Sequence, residues 1–326
     1  MPLIDRQGRK INYLRLSVTD RCNLRCRYCM PQQGVTDIGH DSLLRFEDLY
    51  RIARSAVAIG VRKIRITGGE PLVRKGISGF LRHLSGIAGL DQLVLTTNGV
   101  LLAETAAELR DAGVQRLNIS LDSLDADTFS FITRGGSLKR VLNGIETARS
   151  CGFPVKLNMV VMRGVNDHEI PAFVRLAADS ASTVRFIEYM PAIRENGWQR
   201  LVVPGREILA RLERDFRLLP LEQARLAGPA RNFRISGTSG TVGIITPISE
   251  HFCQKCNRIR VTSTGQAIGC LFDETCIDLK PALQEDDNNF QLIRILRSII
   301  AVKPAGHLMN PAECHHQAFS MASIGG

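Results

Sequence analysis

Residues 13–29 read YLRLSVTDRCNLRCRYC, an alternation of apolar and polar residues followed at once by three cysteines. The alternation predicts a β-strand, so Cys22, Cys26 and Cys29 lie on the loop that leaves its carboxyl end. Three thiolates spaced by three and two residues can hold one face of a 4Fe–4S cubane and leave the fourth iron open. An open coordination position is typical of a catalytic metal site. Zinc is the alternative, with only the distant His40 available as a fourth ligand.

This strand is the first of six that alternate with longer stretches of helical spacing. The candidate strands are Tyr13–Val18, Lys63–Thr67, Leu93–Thr97, Arg116–Leu121, Val155–Val161 and Val184–Tyr189. The candidate helices are Phe46–Ile59, Ile77–Ile87, Leu101–Ala112, Leu138–Ser150 and His168–Ser180. Strand–helix repeats predict an α/β fold with a parallel sheet, either open or curled toward a barrel. Ligands of such folds bind at the carboxyl ends of the strands.

The pattern changes in the C-terminal third, and we place a boundary between residues 1–220 and residues 221–326. Arg231–Thr246 predicts short antiparallel strands, and Arg258–Phe272 predicts a β-hairpin. A largely helical tail follows.

A second group of cysteines, Cys253, Cys256 and Cys270, has the spacing C-x2-C-x13-C. A C-x2-C pair with a third cysteine across a hairpin is a metal-ligand arrangement. If Cys276 supplies a fourth thiolate, the pattern is that of a zinc ribbon. With a three-cysteine loop upstream, a second 4Fe–4S cluster is the favoured interpretation.

The composition is that of an ordinary globular protein, with 44% hydrophobic and 23% charged residues. The formal charge of +10 favours anionic partners such as nucleotides and phosphates. The N-terminus lacks the apolar core of a signal peptide, and no apolar run reaches the roughly 20 residues that a membrane span needs. We therefore expect a cytoplasmic protein without membrane contact, in which nine cysteines indicate metal binding or catalysis rather than a disulfide framework.

Basic residues interrupt several predicted strands, at Arg15, Lys63, Arg65, Lys156 and Arg185. Positive charges in apolar strands are costly unless they face a solvated cavity or an anion. If they converge on one lumen they suit a triphosphate, because a guanidinium binds phosphate oxygens through two N–H groups at once. For each residue the alternative is a pair with a nearby carboxylate.

The first cysteine loop resembles the radical S-adenosylmethionine (SAM) superfamily, whose signature is C-x3-C-x2-C with an aromatic residue before the last cysteine, here Tyr28. Thr67-Gly68-Gly69-Glu70-Pro71 is similar to the superfamily's loop for the methionine part of SAM. Polar residues also end the third and fourth strands, at Thr96-Thr97-Asn98-Gly99 and Ser120-Leu121-Asp122. The resemblance implies that the open iron chelates SAM, whose reductive cleavage yields a 5′-deoxyadenosyl radical.

Cys256-Asn257-Arg258-Ile259-Arg260 within the second cysteine group, together with the terminal Gly325-Gly326, resembles the GTP 3′,8-cyclase family. The resemblance runs from about Tyr13 to the last residue. It implies a partial (β/α)6 TIM-like radical SAM barrel and a smaller C-terminal α+β domain that carries a second cluster. It implies cyclisation of GTP to 3′,8-cyclo-7,8-dihydro-GTP, the first step of molybdenum cofactor biosynthesis.

The resemblance also implies cofactors and partners. The cofactors are two 4Fe–4S clusters and SAM. The partners are the substrate GTP, a reductase or flavodoxin-type electron donor and a downstream cyclic pyranopterin monophosphate synthase, with no nucleic acid. The chain is expected to be a monomer or a homodimer.

The family's functional residues carry over onto matching positions of this sequence. The implied cluster ligands are Cys22, Cys26, Cys29, Cys253, Cys256 and Cys270. The implied SAM contacts are Tyr28, Gly69, Ser120 and Met190. The implied GTP contacts are Arg15, Arg65, Thr96, Lys156, Arg258 and Arg260, with Lys63 and Arg185 as additions. The implied catalytic residues are Arg15, Arg258, Arg260, Gly325 and Gly326, the two glycines through a tail that reaches into the active site.

Two other functions fit parts of the sequence. One is a radical SAM enzyme with an auxiliary cluster that modifies a peptide, against which the Cys256–Arg260 segment and the terminal glycines argue. The other is a zinc-ribbon protein that binds nucleic acid, which the basic charge favours but which leaves the N-terminal motif unexplained.

Overall fold

Strands and helices alternate through the first two-thirds of the chain in the computed structural model, which describes residues 3–34, 39, 42–190, 197–224, 226–273, 275–285, 289–307 and 321–324. The strands are β1 (Tyr13–Ser17), β2 (Lys63–Thr67), β3 (Gln92–Thr97), β4 (Arg116–Ser120), β5 (Val155–Val161), β6 (Thr183–Glu188), β7 (Leu218–Leu221), β8 (Arg231–Ile235), β9 (Thr241–Ile245), β10 (Arg258–Val261), β11 (Gln266–Ile268) and β12 (Cys276–Asp278). The helices are α1 (Phe46–Ala58), α2 (Ile77–Ser85), α3 (Leu102–Asp111), α4 (Ala126–Thr133), α5 (Leu138–Ser150), α6 (Ile170–Asp179), α7 (Gly205–Asp215), α8 (Lys280–Gln284), α9 (Phe290–Ala301) and α10 (Met321–Ile324). None of these helices is long and apolar enough to cross a membrane.

The strands of the described residues form one open sheet in the order β12-β11-β10-β1-β2-β3-β4-β5-β6-β9-β8-β7. From β1 to β6 the strands are parallel and follow chain order, as the strand–helix repeats predict. The sheet does not close on itself, so it has the architecture of a partial (β/α)6 barrel. The predicted fold class is confirmed.

The C-terminal region extends both edges of this sheet. On one side β10 pairs in parallel with β1, and β11 and β12 continue as antiparallel strands. On the other side β9 pairs in parallel with β6, and β8 and β7 continue as antiparallel strands. The predicted antiparallel strands and hairpin are present, and they flank the barrel strands within the same sheet.

The barrel strands present an apolar face to the helices and a more polar face to the lumen. On β5 the buried side chains are Val155, Leu157, Met159 and Val161, and those between them are partly exposed. The alternation arises because successive side chains of a strand point to opposite faces of the sheet. Strands and helices share one continuous hydrophobic core on the outer face, which leaves the lumen for polar side chains.

Helix α4 is not among the predicted elements. Phe129, Ile132 and Thr133 are buried on one face, but the helix has only 8 residues, too few for its apolar period to stand out in the sequence. Its first turn is capped by the carboxylate of Asp125, which accepts a hydrogen bond from Thr128 N–H at 2.8 Å. Local capping and tertiary contacts therefore specify this helix more than its apolar pattern does.

Candidate active site

One large cavity occupies the lumen and the carboxyl ends of the parallel strands. Its volume is about 1750 Å³, counting its opening to solvent. Its lining includes both groups of cysteines: the N-terminal set, Cys22, Cys26 and Cys29, and the C-terminal set, Cys253, Cys256 and Cys270.

The loop that carries the N-terminal set is fastened to the end of β2 by backbone hydrogen bonds. Gly69 N–H donates to Thr19 O, and Glu70 N–H donates to Arg21 O, both at 2.8 Å. A Cβ atom added to Gly69 would lie 2.3 Å from Arg21 O. The two loops approach this closely because glycine has no side chain.

Helix α4 holds the same loop from another direction. Arg25 N–H donates to Thr133 O at 3.2 Å, and Arg27 N–H donates to Ile132 O at 2.9 Å. The guanidinium of Arg134, just after the helix, donates to Arg25 O at 2.8 Å. These anchors were missed by reasoning from the sequence because neither the helix nor its contacts has a motif.

Burial dominates the electrostatics of the N-terminal set. It raises the pKa of Cys22, Cys26 and Cys29, and for the last two the charge of Asp122 adds to the effect. Metal binding replaces the thiol proton, so a positively charged metal centre is what would compensate three buried thiolates here.

A buried carboxylate fixes the wall of the cavity beside these cysteines. Asp122 accepts a hydrogen bond from the Tyr28 hydroxyl at 2.9 Å and another from Val160 N–H at 2.8 Å. Burial raises the pKa of Asp122 to about 6. Tyr28 is therefore held in place from across the lumen.

Three neighbouring strands place arginines side by side on the lumen face. Arg15 on β1 lies opposite Arg65 on β2 and opposite Arg260 on β10. Paired strands are about 4.8 Å apart, and like charges directly opposite each other are destabilising. Arg258, two residues before Arg260 on β10, adds a further cation to the same face. An anion in the lumen would relieve this repulsion.

The pKa values of the cations reflect their crowding. Burial, together with the charges of Arg260 and Arg65, lowers the pKa of Arg15. Burial and neighbouring cations lower the pKa of Lys156 to about 6 and the pKa of Arg185 to about 10. Within the described part of the chain, the buried Nε–H groups of Arg65 and Arg185 have no hydrogen-bond partner. These buried guanidinium groups carry unused hydrogen-bond donors and repel one another, so binding a polyanion would satisfy the donors and offset the repulsion.

The C-terminal set lies beside these arginines. The guanidinium of Arg258 donates to the Sγ of Cys256 at 3.7 Å. Burial raises the pKa of Cys256, but the charges of Arg258 and Lys303 outweigh it and lower that pKa to about 6. Near the N-terminus, Arg9 donates from its guanidinium to Cys253 O at 2.9 Å and so fastens this loop.

Neither cysteine set has the spacing of a closed zinc site formed by its three thiols. Zinc–sulfur bonds of about 2.3 Å bring tetrahedral ligands to about 3.8 Å from one another. Among the described residues, neither set has its three sulfur atoms within 4.8 Å of each other, whereas ligand atoms of His251, Cys253 and His307 are that close. A cubane spreads its cysteine ligands around a larger body. Cys276 is exposed and is not part of the cavity lining, so the zinc-ribbon interpretation loses its fourth ligand.

The cavity brings together most of the predicted site residues. Those in its lining are Arg15, Cys22, Cys26, Tyr28, Cys29, Arg65, Gly69, Thr96, Ser120, Arg185, Met190, Cys253, Cys256, Arg258, Arg260 and Cys270. Lys63 and Lys156 are not part of the lining, although burial and then the charges of Arg185 and other lumen cations lower the pKa of Lys156. Gly325 and Gly326 lie outside the described residues. The role of each residue stays a prediction.

Asn98, Asp122 and Asn158 also line the cavity and were not assigned a role from the sequence. Each stands on the lumen face of a strand or just after its carboxyl end. The period of two within strands, combined with the rule that ligands bind at strand ends, is the signal that points to them.

A partial parallel barrel with a three-cysteine loop after its first strand defines a radical SAM protein. Residues 16–177 match the model of the Radical SAM superfamily, and residues 182–309 match Molybdenum Cofactor Synthesis C. Streptococcus suis SuiB bound to precursor peptide SuiA aligns with a TM-score of 0.62 and 16% identity, over 90% of this chain and 67% of that chain. Native anSMEcpe with bound AdoMet aligns with a TM-score of 0.57 and 16% identity, over 86% of this chain and 83% of that chain.

Curated relatives match along the whole chain. The GTP 3′,8-cyclase of Geobacter sulfurreducens is 63% identical over 100% of both chains. The GTP 3′,8-cyclase of Pelotomaculum thermopropionicum is 45% identical over 99% of both. This chain belongs to the GTP 3′,8-cyclase family of radical SAM enzymes, and the family expected from the sequence is confirmed.

Proposed function

We propose that the chain converts GTP to 3′,8-cyclo-7,8-dihydro-GTP, the first step of molybdenum cofactor biosynthesis. The observation that carries the proposal is a single cavity that joins both cysteine sets to a group of buried cations. The full-length relatives and the C-terminal match to molybdenum cofactor synthesis support it. A bond between the ribose and the base of one nucleotide requires both parts to be held in one enclosed site.

The cofactors are two 4Fe–4S clusters and SAM, and the chain offers three thiols to each cluster. When bound, SAM and the cluster of the N-terminal set supply a radical able to remove a hydrogen atom from an unactivated carbon. We assign Tyr28, Gly69, Ser120 and Met190 to SAM. Because Asp122 already holds Tyr28 by a hydrogen bond at 2.9 Å, this side of the site is ordered before the cofactor arrives.

We assign the triphosphate to the cations of the lumen. Arg15, Arg65 and Arg260 are paired across three strands, so their guanidinium groups face one anion from adjacent positions. Lys156 adds charge from β5, and Thr96 lines the same cavity. Arg258, at 3.7 Å from the Sγ of Cys256, would link the nucleotide to the second cluster.

The side chains act by positioning and by excluding water. Arg15, Arg258 and Arg260 hold the nucleotide so that C3′ faces the SAM end and C8 stays within bonding reach of C3′. Arginine suits this role because its planar fork fixes orientation as well as charge. A nucleotide bound in the lumen would also displace solvent from around the reacting carbon atoms.

An anaerobic assay of the reconstituted protein with SAM, dithionite and GTP, read by mass spectrometry, tests the proposal. We expect 5′-deoxyadenosine together with a GTP-derived isomer of unchanged mass. 5′-Deoxyadenosine without that isomer would leave a radical SAM enzyme with another substrate. Neither product, from protein that carries both clusters, would contradict the proposal.

We propose a domain boundary near residue 220 that separates the SAM-binding part of the chain from the part that carries the second cysteine set. Residues 1–220 carry the N-terminal set and the SAM contacts, and residues 221–326 carry the C-terminal set with Arg258 and Arg260. The terminal Gly325 and Gly326 are proposed to enter the active site. Truncation of both glycines, with cluster content measured alongside, tests this part.

We propose a cytoplasmic enzyme that is reduced by a reductase or flavodoxin-type donor and passes its product to a cyclic pyranopterin monophosphate synthase. The charge of +10 would favour an acidic donor. Salt-dependent reduction of the clusters by a flavodoxin, with dithionite as the salt-insensitive control, tests the first partner.

A further inference from the structure

The amide of Asn98 stands between the loop after β3 and the N-terminal cysteines, and its orientation is determined by its contacts. Its Oδ1 accepts a hydrogen bond from Val100 N–H at 3.1 Å. This contact turns the NH2 group the other way, so the assignment of oxygen and nitrogen follows from the network.

The NH2 group has two hydrogens and two acceptors. It donates to Asn23 Oδ1 at 2.7 Å and to the Sγ of Cys22 at 3.7 Å. The same sulfur accepts a second hydrogen bond from Leu24 N–H at 3.4 Å. Every polar atom of the Asn98 amide is therefore used, and one of its hydrogens is directed at a cluster ligand.

Glu70 holds Asn98 in this position. Its Oε2 accepts from Asn98 N–H at 2.6 Å, and its Oε1 accepts from the Thr97 hydroxyl at 2.8 Å and from Leu72 N–H at 3.0 Å. Glu70 is buried, with only 1% of its surface exposed to solvent. Three hydrogen bonds to one buried carboxylate fix the end of β3 against the loop after β2.

We propose that Asn98 is a positioning residue that raises the reduction potential of the N-terminal cluster through its N–H···S hydrogen bond to Cys22, with Glu70 holding it in place. The inference rests on the proposed function, which places a 4Fe–4S cluster on the N-terminal set. The cluster takes up one electron from an external reductant, and this adds negative charge to the cluster and its thiolates. A hydrogen bond to a thiolate stabilises the reduced form more than the oxidised form.

The test is a redox titration of the reconstituted enzyme without SAM, followed by electron paramagnetic resonance. The signal of the N-terminal cluster is identified as the one that changes when SAM is added afterwards. Asn98→Leu removes the amide at similar volume, and we expect its midpoint potential to fall by about 59 mV, a tenfold change for one electron. Asn98→Asp keeps an acceptor for Val100 N–H but adds a charge, so its potential falls further.

Asn23→Ala is the matched control, because it disturbs the same loop but keeps the N–H donor of Asn98. Its potential should stay at the wild-type value or rise. An equal fall in Asn23→Ala would overturn the proposal, since loop disturbance would then explain the effect.

An unchanged potential in either assembled Asn98 variant would also overturn the proposal. So would loss of about four of the roughly eight iron atoms in both variants, because tuning requires an assembled cluster. Failure of the wild type to bind iron at the N-terminal set would instead contradict the proposed function.

Discussion

The two cysteine sets line one cavity but differ in their electrostatic surroundings. Burial and the carboxylate of Asp122 raise the pKa of Cys26 in the N-terminal set. In the C-terminal set burial also raises the pKa of Cys253, but at Cys256 the charges of Arg258 and Lys303 outweigh burial and lower the pKa to about 6. Similar spacing in the sequence thus gives two sites of different charge.

The difference indicates which cofactor and which substrate group each site suits. Beside the N-terminal set the carboxylate of Asp122 would favour a cationic group, and SAM carries a positive sulfonium. A pocket rich in arginines favours an anionic guest, and GTP carries its charge on the phosphates. The two sets are therefore specialised by their neighbours and not by their own spacing.

The strongest test of this comparison removes one ligand from each set. Cys22→Ala should abolish both 5′-deoxyadenosine and the cyclised product, because SAM loses its cluster. Cys270→Ala should abolish the cyclised product and retain 5′-deoxyadenosine formation. Mass spectrometry of both products, with iron content as the control, measures this. Full cyclisation by Cys270→Ala would remove the second set from the mechanism.

The cations near the C-terminal set should contribute to GTP binding and leave SAM binding unchanged. Arg260→Ala should raise the KM for GTP by about 10- to 100-fold, because a charged hydrogen bond in a buried site is worth about 1.5–3 kcal/mol. Arg140→Ala is the matched control, since Arg140 forms an exposed ion pair with Glu104. Steady-state kinetics in GTP and in SAM check this, and an unchanged KM for GTP would exclude the contact.

The depressed pKa of Lys156 makes GTP binding depend on pH. Burial and neighbouring cations hold this pKa at about 6 in the free protein, and a bound triphosphate would raise it. Binding therefore takes up a proton, and GTP affinity should weaken above pH 7, by up to about tenfold per pH unit.

Calorimetry in two buffers of different ionisation enthalpy measures this proton uptake. Lys156→Met should reduce it and make the pH profile between pH 7 and 9 shallower, the remaining uptake being due to Tyr13 and Lys63, whose pKa values are lowered to about 8. Equal proton uptake in the wild type and in Lys156→Met would assign the effect to another group.

The loops of the two sets also differ in how tightly they pack. At Gly69 an added Cβ would lie 2.3 Å from a backbone oxygen, whereas at Gly269 the nearest atom is at 3.3 Å. Gly69→Ala should cost about 1–3 kcal/mol of unfolding free energy and weaken SAM binding. Gly269→Ala should cost less than about 1 kcal/mol. Denaturant unfolding and SAM binding compare them, and equal costs would contradict the difference in packing.

Much of the fold could be predicted from periodicity. The predicted strands Lys63–Thr67 and Val155–Val161 and the predicted helix Leu138–Ser150 have the bounds seen in the structure. In Val155–Val161 and Leu138–Ser150 buried residues recur at the period of the element, and in Lys63–Thr67 basic and apolar residues alternate along the sequence. Helix α4 was missed because it has only 8 residues and a cap at Asp125 defines its start.

The candidate site was predictable where chemistry carries a motif. Cysteine spacing and alternating arginines in strands are such signals, and the cavity unites them. Asn98 and Asp122 lie in polar segments at predicted strand ends, but their particular roles could not be predicted, because an amide or a carboxylate after a strand is common in loops. Their contacts with Cys22 and Tyr28 join residues far apart in the chain.

The sequence by itself determined the class of fold, the two cysteine sets and the family, because periodicity and motif spacing are local properties of the chain. Only the tertiary structure decided which charges face each set. β10 pairs with β1, and this register sets Arg260 beside Arg15 although 245 residues separate them in the chain (260 − 15). Electrostatic surroundings depend on distances through space, and sequence separation does not specify those distances until the sheet is assembled.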